Sequence, residues 1–313
     1  MNIYKKRINF LKFHKAFLFC SLFFFLGSLL IFFLKGLNLG IDFRGGTIIE
    51  MKVETPVKSE TIRQELLNLN LGDVKVKEFG KTTQFLAIFE KKGSSNDFIN
   101  NIKLNLIKKL NQNIDFQRVE VVGPKISEEL SKKGYLAVFI ALICMLIYIW
   151  FRFEWQFSIG SILALAHDVF ITIGVFCLLS YEFNLSIVAA ILTIIGYSMN
   201  DTVVIYDRIR ENLKKYDSKN FSELIDDSIN ETLPRTIKTS VTTLLALISI
   251  YILGGEILKG FSFALIWGVL IGTYSSIYIA SPLLLYTNVK RDWSLSLIHI
   301  SEPTRQAEIY YAI

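Results

Sequence analysis

One acidic residue stands where an acid is costly. The stretch Gly196-Tyr197-Ser198-Met199-Asn200-Asp201-Thr202-Val203-Val204-Ile205-Tyr206 closes an apolar run that begins near Leu185 and is long enough to cross a bilayer. At a helical rise of about 1.5 Å per residue, Asp201 is expected about 9 Å inside the hydrocarbon. An aspartate at the centre of a membrane helix costs about 2.5–3.5 kcal/mol, and it escapes by taking a proton, pairing with a cation or facing a polar interior. Each escape is a form of ion handling; the other reading puts Asp201 close enough to the cytosolic edge to hydrate. Asn200 adjoins it, and Ser198 and Tyr197 share its helical face, where they either donate hydrogen bonds to the carboxylate or simply pack. Asp168, in an earlier apolar run, can share protons with Asp201, whereas its neighbour His167 points about 100° away around the helix and makes no evident relay. Arg235 opens a later run. A helix amino terminus does not favour a cation, so Arg235 needs a partner, and Asp201 is within reach if the two helices pack side by side.

Composition fixes the class. With 52% hydrophobic and 20% charged residues among 313, and a positive mean hydropathy, the chain reads as a polytopic α-helical membrane protein with lipid as its surroundings. The formal charge of +6 comes from basic residues beside the spans and in one polar domain, so no nucleic-acid partner is implied. Cys20, Cys144 and Cys177 all lie in apolar runs, without disulfide or metal-ligand spacing. No phosphate-binding G-x-x-x-x-G-K-[ST] pattern occurs. No metal, cofactor or catalytic set is expected, and the chain is not read as an enzyme.

Six spans and one external domain follow from the hydropathy pattern. Residues 1–34 hold a basic amino end and a first apolar run of 19 residues, which lacks a small-x-small cleavage pattern and is read as a retained span rather than a signal peptide. Residues 35–133 turn polar, with 17 Lys or Arg and 13 Asp or Glu. Their strand and helix signals run βαββαβ, with strands at 47–53, 73–79, 84–90 and 116–122 and helices at 59–70 and 96–110, an α+β ferredoxin-like domain between the first and second spans. At its root, Asp42-Phe43-Arg44-Gly45-Gly46 forms a bend or bulge at the domain–membrane junction, the paired glycines taking angles closed to other residues. Residues 134–292 carry five further spans. Basic residues number 15 on the inner segments and one, Lys259, on the short outer loops, which puts both termini in the cytosol and the domain outside.

Within the cytosolic segment 207–238, Asn220 and Glu223 suggest a capping box, and Phe221, Leu224, Ile225, Ile229 and Leu233 form one apolar face. Pro234 is expected to end this helix and start the fifth span, with Thr232 as cap. The sixth span carries Ala264, Gly268, Gly272, Ser276 and Ala280 at strict four-residue spacing, a stripe that lets helix backbones approach closely; Gly160, Ala164, Asp168 and Thr172 repeat the device on the third span.

Three stretches resemble the SecF family of the bacterial SecDF protein-export complex, in the resistance-nodulation-division superfamily. They are Leu39-Gly40-Ile41-Asp42-Phe43-Arg44-Gly45-Gly46-Thr47, the 196–212 segment, and Leu233-Pro234-Arg235-Thr236 with Thr239-Ser240-Val241-Thr242-Thr243. The resemblance implies pairing with SecD, work beside the SecYEG channel in the cytoplasmic membrane, and use of the proton gradient to draw preproteins outward. It matches the family's membrane aspartate and arginine to Asp201 and Arg235. Two other functions stay open: a passive scaffold of the channel, and an intramembrane aspartyl protease built on Asp168 and Asp201, although the Gly-x-Gly-Asp context of the latter is absent. Residues 293–313 look unlike the family and similar to a translated sequencing adapter, and are read as a non-native tail.

Overall fold

A backbone in lipid must satisfy its own hydrogen bonds, and a helix does so locally, so long apolar runs dictate the architecture. The computed structural model describes residues 7–79, 81–90, 96–216, 219–287 and 289; the tail expected over 293–313 lies outside them. Among the described residues, six helices are long and apolar enough to cross a membrane, by length and composition.

A short 3-10 turn leads into the first of them, α1 (His14–Lys35). A strand of two residues, β1 (Asn38–Leu39), and a one-turn helix, α2 (Ile41–Arg44), form a stem into the polar domain. There the order is β2 (Gly46–Val53), α3 (Ser59–Leu67), β3 (Val74–Phe79), β4 (Lys81–Phe89), α4 (Asn96–Leu110) and β5 (Ile114–Val122). The sheet runs β3-β4-β2-β5, every neighbour antiparallel, which is the ferredoxin-like arrangement expected. Alternation explains its core. Ile49, Met51 and Val53 of β2 and Phe85, Ala87 and Phe89 of β4 meet Ile62 and Leu66 of α3 and Ile102 and Leu106 of α4.

Beyond Gly123 the chain enters α5 (Pro124–Arg152), then α6 (Trp155–Leu179), the two-residue strand β6 (Glu182–Phe183), α7 (Leu185–Lys215), α8 (Phe221–Leu253) and α9 (Gly255–Ser275). A π-helical segment, Ser276–Ala280, continues α9. Pro282 lies just beyond it, and a residue without an N–H cannot continue the ordinary ladder. Strand β6 pairs in parallel with β1, Asn38 with Glu182 and Leu39 with Phe183, a clasp that two-residue strands leave no pattern to foretell.

One expectation fails. Pro234 does not end a helix: α8 runs unbroken from Phe221 into the fifth span with Pro234 inside it. Thr232 is no cap, since its hydroxyl donates within the helix to the carbonyls of Ser228 and Ile229. The apolar face of the preceding turns packs continuously, with Leu224, Ile225, Ile229 and Leu233 all buried, and that packing outweighs the backbone bond the proline lacks. Asn220 does cap α8, accepting from the Ser222 amide at 3.1 Å.

The stripe on α9 sets the packing. Helices α7 and α9 run parallel in one register, a constant 74 positions apart. A Cβ on Gly268 would meet Ile194 at 2.3 Å, and one on Gly272 would meet Ser198 at 2.9 Å. The Thr202 and Ser276 hydroxyls bond at 2.8 Å, and the Tyr206 hydroxyl donates to the Ala280 carbonyl at 3.0 Å. The α6 stripe reaches the same seam, for a Cβ on Gly160 would stand 2.5 Å from the Tyr206 hydroxyl. Replacing Gly268 by leucine therefore forces α7 and α9 apart and lowers stability by about 1–3 kcal/mol. Gly196→Ala, at a glycine of the same bundle with open space around it, leaves stability unchanged or slightly raised. Thermal unfolding in detergent checks both; equal effects would show that the seam does not discriminate.

Candidate functional site

The six helices bring two carboxylates into the bundle and treat them differently. Asp168, on α6, is fully buried. Its Oδ2 accepts from Ser198 of α7 and from Ser275 of α9, both at 2.7 Å, and its Oδ1 lies 3.0 Å from Nδ1 of His167. Both oxygens are engaged, and three helices meet on one side chain. The helical offset expected to separate His167 from Asp168 is overcome by side-chain rotation. Nε2 of His167 is buried without a partner, and its ring lies 6.4 Å from that of Tyr274, whose hydroxyl bonds Ser21 of α1 at 2.8 Å.

Asp201, on α7, is 3% exposed, and its Oδ2 is buried with no hydrogen-bond partner. Ser198 is turned to Asp168 instead, because close packing against Gly272 leaves its hydroxyl aimed at α6 and α9. The Tyr197 hydroxyl is also buried without a partner, and Asn200 is exposed. Of the groups expected around Asp201, none donates to it. No hydrogen bond joins the two carboxylates; the contacts of Asp168 go to Ser198, Ser275 and His167.

The cation expected beside Asp201 is Arg235 of α8. Arg235 is exposed, and no ion pair joins it to Asp201 within 4.0 Å. Antiparallel helices α7 and α8 are instead pinned near the loop that joins them, where Asn212 donates to Ser228 at 2.9 Å and Arg208 pairs with Glu231. Near Arg235, the Thr236 hydroxyl is a further buried group with no partner. Sequence reasoning missed Ser275, which sits one position off the small-residue stripe, and Thr236, which looked like one hydroxyl among many.

At the junction, Gly45 and Gly46 take φ of 77° and 142°, and a Cβ on Gly46 would meet the Phe89 carbonyl at 2.7 Å, so the bend needs both. Asp42 lies within α2, and its Oδ2 accepts from the Leu185 amide at 2.8 Å. Of the packing residues, Gly268, Gly272 and Ser276 all lie on the α7 seam.

A family model for the protein export membrane protein SecD/SecF, C-terminal region, matches residues 102–290, and one for the SecD/SecF GG motif matches residues 30–57. The protein translocase subunit SecF of Vibrio alginolyticus is 40% identical over 92% of this chain and 92% of its own. The protein translocase subunit SecDF of Brucella abortus is 45% identical over 82% of this chain, which spans 34% of its length. The crystal structure of SecDF from Thermus thermophilus superposes with a TM-score of 0.81 at 36% identity, covering 91% of this chain and 39% of that one. Those matches meet the fold and the bundle at every level: the chain belongs to the SecF family of protein translocase subunits.

Proposed function

We propose that this chain pairs with SecD beside the SecYEG channel of the bacterial cytoplasmic membrane and couples the proton motive force to the outward movement of preproteins. The SecDF relatives, in which a longer chain contains the matching region, support SecD as partner. The charge asymmetry of the short loops supports cytosolic termini and an external domain at 35–133. The large apolar side chains exposed along α1 and α5, such as Phe19, Phe23, Phe139 and Ile143, suit lipid and partner helices.

The observation that carries the reading is the unpaired Oδ2 of Asp201. A buried ionised carboxylate without donors is strongly unfavourable, so the site asks for a proton, water or an approaching cation. Arg235 makes no ion pair with Asp201 within 4.0 Å, and the attraction between unit charges grows as their separation shrinks. Proton occupancy of Asp201 and the spacing of α7 and α8 are then linked variables. A proton crossing about 100 mV releases about 2.3 kcal/mol, enough to shift a two-state equilibrium about 50-fold.

Export measured in vesicles with an imposed proton gradient tests this. Asp201→Asn is expected to assemble with its partners and lose the gradient-dependent part of export; if that part survives, the chain is a passive scaffold and the proton reading fails. Asp168 plays another part. Asp168→Ala strands the Ser198, Ser275 and His167 donors and is expected to cost about 3 kcal/mol of stability, seen as a lower unfolding temperature, while the complexes that do assemble keep their response to the gradient.

A further inference from the structure

The external domain hangs from the membrane by two covalent links, the stem after α1 and the start of α5. Noncovalently, it is bolted to a third element. The Lys35 ammonium donates to the Leu178 carbonyl at 2.7 Å, the Asn38 side chain to the Ser180 carbonyl at 3.0 Å, and the Gly40 amide to the Phe183 carbonyl at 2.9 Å. Strands β1 and β6 pair, and the rings of Phe43 and Phe183 lie 5.9 Å apart. Gly134 of α5 lies beside both Phe43 and Val188 of α7, each 3.7 Å from where its Cβ would stand. Asp42 completes the set: it reaches from the stem to the Leu185 amide, the first residue of the helix that carries Asp201. Asn184, the helix's own cap, serves the Ile187 amide at 3.2 Å, so the two side chains satisfy different orphan donors.

We propose that Asp42 is a positioning residue that fuses the stem to the amino end of α7, and that this clamp stays shut throughout transport. The stem and α7 then move as one rod, and α7 is the route by which force passes between the Asp201 site and the external domain. Sixteen residues separate Leu185 from Asp201, about 24 Å of unbroken helix, so a tilt at one end displaces the other. This rests on the proton-coupled reading of Asp201 and adds to it a mechanical connection.

The test uses the assembled complex in vesicles. Asp42→Asn keeps a carbonyl oxygen to accept from Leu185 and is expected to retain gradient-dependent export. Asp42→Ala is expected to lower it at least about fivefold and to speed amide hydrogen exchange over residues 183–187 by about tenfold, the effect of losing a helix cap. A disulfide between cysteines placed at positions 38 and 182 (Asn38→Cys with Glu182→Cys) replaces the clamp covalently. It should restore export to Asp42→Ala and leave the otherwise unaltered chain active. Loss of gradient-dependent export on closing that disulfide, regained on reduction, would mean that the junction must open and would overturn the proposal. Fast exchange at 183–187 with undiminished export would overturn it equally. Failure of the proton reading shows elsewhere, as an Asp201→Asn chain that keeps its gradient response while the exchange at 183–187 still reports the clamp.

Discussion

Everything in the bundle is arranged around the close approach of α7 and α9. Where lipid removes the hydrophobic drive for helices to associate, contact depends on backbones coming near enough for dispersion and hydroxyl bonds to act. Gly268 and Gly272 permit that approach, and Ile194 and Ser198 fill the space a side chain would occupy. Once this seam is set, the rotation of α7 is set with it. Ser198 must face α6 and α9, where it meets Asp168, and Asp201, three residues on, is left without a donor. The separation of a saturated carboxylate from a hungry one is thus a consequence of two glycines.

The contrast between the acids follows from how many helices each can reach. Asp168 sits where α6, α7 and α9 converge and gathers a hydroxyl from each of two neighbours, which ties three helices to one side chain. Asp201 belongs to the α7–α8 side, where the helices are pinned near their connecting loop by Arg208 with Glu231 and by Asn212 with Ser228. The pins lie about two and three turns from Asp201 along α7.

Much of this was legible in the chain, for identifiable reasons. Six long apolar runs and a βαββαβ alternation are periodic signals, repeated over many residues, and the structure carries both. The stripe from Ala264 to Ala280 was readable because its spacing is regular. What escaped depends on single contacts across the fold. Nothing near Pro234 in sequence reports that Leu224, Ile225 and Ile229 are packed tightly enough to carry α8 straight through it. The partner of Ser198 is 30 residues away and that of Asp42 is 143 away, and a side chain's direction among several possible neighbours has no periodicity to reveal it. His167 illustrates the same point locally, for a rotamer brings together two groups that helical geometry alone sets apart.

The amino-terminal segment is held by residues that come late in the chain. The Leu11 amide donates to Asp226, and the Ile8 backbone exchanges two hydrogen bonds with the side chain of Asn230. The first of these contacts joins positions 215 residues apart. At a ribosomal pace of about 5–20 residues per second, α1 waits roughly 10–40 s between its own emergence and that of this tether. Until α6 and its Phe170 and Leu178 emerge, it must stand in the bilayer on hydropathy alone. The apolar side chains exposed along α1, Phe19, Leu22, Phe23 and Phe24 among them, supply that hydropathy.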